Sequence, residues 1–202
     1  MFSHIKVNKF PMWLSYDPHS YDVKGHHYYE VNKVIKPGDI LLRGYTQFLD
    51  GYFIPGTYSH AALYLGDKDG KEDVVIHAMT PAVQYTNLVT FMRCDKLCVI
   101  RPDVSDDDKE LAMFKAVSKL GVPYDYDFVF EESDNTKRKF CCSELIYFAY
   151  QKNAKELKWD IEEKDYKIFT KKIFSPDACL PKPGSKSSIV WEYSKKKAVH
   201  EE

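Results

Sequence analysis

The chain lacks any run of about 18 consecutive apolar residues, so no membrane-spanning helix is expected. It also lacks charge of either sign in excess: 29 basic side chains stand against 30 acidic ones, a net of −1. That removes the bulk electrostatic pull with which nucleic-acid binders gather their ligand. The opening residues, Met1-Phe2-Ser3-His4-Ile5-Lys6, contain no apolar core of the kind a secretory leader needs. Cysteine is scarce and odd in number, with five residues, two of them adjacent at Cys141 and Cys142. Such a set makes a poor disulfide framework, so the thiols are expected to be reduced and the protein cytoplasmic. Cys94-x3-Cys98 resembles half a zinc site, but a closed site needs four ligands and no second pair matches; no metal is expected. No internal repeat is present.

What remains is ample apolar material. At 202 residues, 44% apolar and 15% aromatic, the chain suits one domain with an appended arm. Residues 1–35 are rich in Tyr, His, Asp and Pro and read as an irregular arm with short pieces of structure, a candidate cover for a pocket, with His4, His19, His26 and His27 on its surface. Lys36-Pro37-Gly38-Asp39 is a turn that launches a strand at Ile40-Leu41-Leu42-Arg43, and residues 44–57 read as a loop. Tyr58 to Gly66 alternates as a strand, Asp67-Lys68-Asp69-Gly70 turns it, and Val74 to Met79 returns. Leu97 to Arg101 is a further strand. Ser105 caps a helix over about 106–120, with three Asp residues on the positive end of its dipole. Its expected apolar stripe is Leu111, Phe114, Val117, Ser118 and Leu120. Ser175-Pro176-Asp177 starts a short helical turn, Ser188 to Trp191 reads as a last strand, and residues 195–202 read as a solvated tail.

The chemistry gathers at Phe140-Cys141-Cys142-Ser143, at the head of the apolar helical stretch Glu144 to Tyr150. A thiol there meets unpaired backbone N–H groups and the positive end of the dipole, both of which favour the nucleophilic thiolate. Free cysteine is more often a plain buried hydrophobe; a base is what argues otherwise. His60 and His77 supply one. If the hairpin turn centres on Lys68-Asp69, the two histidines are directly opposed, with Cβ atoms about 4.5–5.5 Å apart. If it centres on Asp69-Gly70, they are diagonal but still share a face. Only an odd-length loop separates them. His60 then takes the thiol proton, His77 fixes its tautomer, and backbone N–H groups at the helix start hold the oxyanion. Tyr124 adds a phenolic donor. Helical spacing alone does not choose between Cys141 and Cys142.

Gly121-x-Pro123-Tyr124, followed by Phe140-x-Cys142-Ser143, resembles the NlpC-type papain-like peptidase motif, in which a G-x-P-Y segment precedes an F-D-C-S-G helix start. In that family the histidine strand follows the cysteine. Here Ser59-His60-Ala61-Ala62-Leu63-Tyr64-Leu65-Gly66 precedes it, the order of the circularly permuted branch. That branch holds the YaeF/YiiX-like permuted papain-like amidases and the lecithin retinol acyltransferase relatives. Tyr124-Asp125, Cys142-Ser143-Glu144-Leu145 and Ser175-Pro176-Asp177 look most like the YiiX-like side. The resemblance spans roughly residues 36–192. It implies an α+β permuted papain-like fold over 36–194, with a small antiparallel sheet packed on the cysteine helix. It also implies Cys142 as nucleophile, His60 as base, His77 in third place and Tyr124 near the oxyanion site. Two departures stand out: Cys141 replaces the usual Asp, and Glu144 replaces the Gly of the non-permuted motif.

The implied function is a cysteine hydrolase or amidase working through a thioester on Cys142, with no cofactor. Its substrate is expected to be a small amide, a peptide of cell-wall type or a lipid-like ester. One rival is an acyltransferase that passes the same thioester to a lipid or amine acceptor. The other is a non-catalytic binding domain that keeps the cleft.

Overall fold

A computed structural model describes residues 5–9, 12–16, 21–46, 56–127, 129–130, 139–165 and 170–194. The loop expected over 44–57 lies largely outside them; the tail from Lys195, His4 and His19 lie wholly outside. In chain order the strands are β1 (Ile5–Lys9), β2 (Met12–Tyr16), β3 (Ile40–Gly44), β4 (His60–Lys68), β5 (Lys71–Met79), β6 (Ala82–Asn87), β7 (Lys96–Pro102), β8 (Glu162–Asp165), β9 (Thr170–Ile173) and β10 (Ser187–Ser194). The helices are α1 (Gly25–Val34), α2 (Leu88–Phe91), α3 (Asp106–Val117) and α4 (Cys142–Tyr150), with 3-10 turns at Gln151–Asn153 and Pro176–Cys179. Six strands form an antiparallel sheet in the order β10-β7-β3-β4-β5-β6; β1-β2 and β8-β9 are separate two-stranded ribbons. The fold is α+β. No helix among the described residues is long and apolar enough to cross a membrane.

The β4-β5 hairpin turns at Asp69-Gly70, between the paired residues Lys68 and Lys71. Both turn residues have positive φ, 52° and 75°, the geometry that matches the twist of the flanking strands and that Asp-Gly favours. Further in, Leu63 pairs Ile76 and Tyr64 pairs Val75, with irregularities around Gly66. That register makes His60 and His77 diagonal on one face, the second of the two alternatives open in the sequence.

Both faces of the sheet are covered, which explains why β3 is buried at every residue. On one face Ile40, Leu42, Ala61, Leu63, Ile76 and Ala78 pack against Leu145, Ile146, Phe148 and Ala149 of α4. Every residue of α4 is buried, and each large apolar side chain there contributes about 1.5–3 kcal/mol. On the other face Leu41, Ala62, Tyr64, Val75 and Val99 meet Val31 of α1 and Leu88 and Phe91 of α2.

Three expectations need correction. The face of α3 that packs on α4 is lined by Ala112 and Ala116, while Leu111 is 44% and Phe114 70% exposed. Small side chains at i and i+4 let the two helices approach closely; of the expected stripe Leu111 and Phe114 point away, while Val117 packs against the core. His27 is buried rather than on the surface: its ring packs on Tyr193 and Trp191, and its Nδ1 accepts from the Lys24 N–H at 2.9 Å. Within the arm, α1 is a regular ten-residue helix, and β6 and α2 are elements that the sequence reading does not place.

Candidate active site

The head of α4 is built by its own side chains. Cys141 is the N-cap, and the Glu144 carboxylate accepts the Cys141 backbone N–H at 3.0 Å. Glu144 therefore closes a capping box, which gives a physical reason for an acidic residue where the non-permuted motif has Gly. The Cys141 thiol lies 3.5 Å from the Ser143 hydroxyl, and that hydroxyl donates to the carbonyl of Phe174. The helix start is thus tied to the segment leading into Pro176–Cys179.

That segment also fixes the start of β4. The Asp177 carboxylate accepts the N–H groups of Thr57 at 2.7 Å and Tyr58 at 2.8 Å. Gly56, with φ +119°, lies so near that a Cβ there would sit 2.6 Å from the carboxylate. The strand enters two residues later at His60.

His60 Nε2 and His77 Nδ1 are 2.8 Å apart, with the rings nearly perpendicular. His60 to Leu63 pair with β3, whereas the ladder with β5 begins only at Leu63. The backbone N–H groups of Ala61, the residue after His60, and of Ser143 lie near enough to the Cys142 sulfur to favour its charged form. The head of α4 therefore meets β4 one residue beyond the histidine. With Nε2 engaged by His77, the free nitrogen of His60 is Nδ1.

Charge at this junction is controlled by burial. Burial pushes the Cys142 thiol up, against the lowering effect of nearby backbone N–H groups, Ala61 first, and of Arg43. Burial, then Arg43, then His77 hold His60 well below its usual value, and burial followed by Arg43 lowers His77 to about 3. At neutral pH the thiol and both imidazoles are therefore uncharged. The helix start alone suggested a thiolate; desolvation of a side chain only 3% exposed outweighs it. Cys141 is raised further, by burial and then by Glu144.

Tyr124 stands at the same place. Its backbone bridges to Phe140, and its phenol is held up by burial and by Cys142, Cys141 and Glu144 in turn. The five cysteines are all free and buried. Among the described residues no group of His, Cys, Asp and Glu is arranged to hold a metal ion.

Two residues escaped the sequence reading. Arg43 pairs directly with His60 across β3 and β4, and its guanidinium lies over the Phe91 ring at 4.7 Å. Phe91 in turn packs on both imidazoles, with centroids 5.8 and 6.1 Å away. Strand alternation puts Arg43 on the same face as Leu41, the one available hint that its charge is turned inward.

No curated protein and no solved structure matches the chain. A family model described as "Permuted papain-like amidase enzyme, YaeF/YiiX, C92 family" matches residues 34–199. A permuted papain-like fold with its cysteine at a buried helix start, matched over that span, makes the chain a member of this family of papain-like cysteine hydrolases.

Proposed function

We propose that Cys142, His60 and His77 are the catalytic set of an amidase acting on a small amide or peptide. The observation that carries this reading is the 2.8 Å bond from His60 to His77, with the N–H of the next residue, Ala61, favouring a charged sulfur at Cys142. His60 donates its Nε2 proton to His77 Nδ1, which leaves the Nδ1 lone pair to accept the thiol proton. The sulfur attacks the amide carbonyl, and backbone N–H groups at the head of α4 hold the oxyanion. The Tyr124 hydroxyl supports the same oxygen. Collapse breaks the C–N bond, and His60 returns its proton to the leaving amine. Water, deprotonated by His60, then hydrolyses the thioester and frees the acid. Five reduced cysteines fit a reducing, cytoplasmic-type compartment.

The test combines alkylation mapping with substrate turnover. At neutral pH, iodoacetamide modifies Cys142 ahead of Cys94 and Cys179, and His60→Ala slows that modification. A panel of N-acyl amino-acid amides and short peptides then yields amine product in the parent protein and none in Cys142→Ala. Equal reactivity of all the thiols sinks the reading and favours a binding domain. Product formed only with an added lipid or amine acceptor turns the hydrolase into a transferase.

A further inference from the structure

Arg43 is a buried cation, 7% exposed, with poor partners. Its Nη1 donates to the Phe91 carbonyl at a long 3.3 Å, its Nη2 meets only the Met79 sulfur at 3.8 Å, and its Nε has no partner. Among the described residues no carboxylate is bonded to it. Burying a charge costs several kcal/mol unless something compensates, so its place beside the histidines is not one that packing alone would select. The titratable groups on which its charge acts are His60 on β4, His77 on β5, Cys142 at the head of α4, and Cys94 before β7. Asp95, next to Cys94, accepts N–H groups of Asp22 and Thr46 at 3.1 and 2.8 Å.

We propose that Arg43 is a positioning residue whose fixed positive charge sets the pH range in which Cys142 and His60 exchange their proton; this rests on the cysteine–histidine reading above. The charge is held in place by the cross-strand pairing with His60 and by the Phe91 ring that covers all three side chains of the row. A cation there attracts the negative sulfur formed when the proton leaves and repels a positive imidazole. Thiol ionisation and imidazolium deprotonation both move to lower pH. His60, once protonated, is the more ready to pass its proton to a leaving amine.

The test is the pH dependence of Cys142 alkylation and, once a substrate is found, of kcat/KM. Arg43→Met moves both limbs of the profile to higher pH and slows alkylation at neutral pH by about tenfold, the size one neighbouring charge commands. Arg43→Lys restores the parent profile. A second pair of variants leaves the arginine untouched. Met79 is 36% exposed and touches Nη2, so Met79→Glu places a carboxylate against the guanidinium, and Met79→Gln does not. Met79→Glu shifts the profile upward as Arg43→Met does, and Met79→Gln leaves it in place. If Cys142 is fast in the parent but neither Arg43→Met nor Met79→Glu moves its profile, the proposal is overturned while the catalytic reading survives. If Cys142 reacts in the parent no faster than Cys94, the catalytic reading falls and this proposal with it.

Discussion

His60 and His77 are bonded at 2.8 Å without being cross-strand partners: the ladder pairs His60 with Arg43 and His77 with Gln84. The bond is a diagonal one, reached because β4 and β5 have no ladder pairs beyond Leu63 and Ile76. In the proposed mechanism His77 has one role, as the acceptor that leaves His60 Nδ1 unprotonated. His77→Asn keeps an acceptor near that position and retains most of the activity. His77→Ala loses the tautomer and drops kcat by about 10²–10⁴-fold, the usual range for general-base catalysis. Steady-state kinetics on the two variants check it, with KM little changed in either.

Asp177 lies more than a hundred residues from His60 in sequence yet holds the backbone just before it. Asp177→Ala leaves the N–H groups of Thr57 and Tyr58 without their acceptor. The expected cost is about 1–3 kcal/mol for each such group that stays buried, less where Thr57 reaches solvent. Asp177→Asn keeps one acceptor oxygen and is milder. Urea unfolding measures the loss, and slower Cys142 alkylation in Asp177→Ala reports the displaced strand.

Much of this frame was legible because its signals are local. Asp-Gly marks the hairpin, alternation marks β4 and the turn sends β5 back, and Ser105 with three Asp residues marks α3; the Ser105 hydroxyl does accept the Asp108 N–H, at 3.2 Å. Either even-length turn puts the two histidines on one face, and the structure takes the second of them. What escaped depends on contacts that the chain does not announce. The helix α2 is four residues long, too short for any periodicity, yet it delivers Phe91. In α1 only His27 and Val31 are buried, so no apolar stripe exists to be read. Arg43 looks like a surface charge at a strand end until the layer of α1 and α2 covers it.

The α3 seam gives a sharp contrast. Ala116 is fully buried against α4, whereas Phe114, two residues away, is mostly exposed. Ala116→Leu forces extra volume between the helices and destabilises by about 1–3 kcal/mol. Phe114→Ser changes stability by no more than about 0.5 kcal/mol. Thermal melts of the two variants check the assignment, and equal effects would mean that α3 packs by its large residues after all.

The buried histidines also tie folding to pH. Burial keeps His60 well below its ordinary value and His77 at about 3, whereas in the unfolded chain both titrate near 6.5. Below that point the unfolded state binds protons that the folded state refuses. Their contribution to stability is therefore complete above pH 6.5 and declines as pH falls, for His77 until it nears about 3. Each histidine adds up to about 1.4 kcal/mol per pH unit to the slope. Carboxylates join in at more acidic pH, so the clean window lies between about pH 5.5 and pH 7.5. Urea midpoints across that window fall toward acid in the parent. In His77→Asn the slope is shallower by the share of one histidine, and an unchanged slope would mean that His77 is not held neutral in the folded protein.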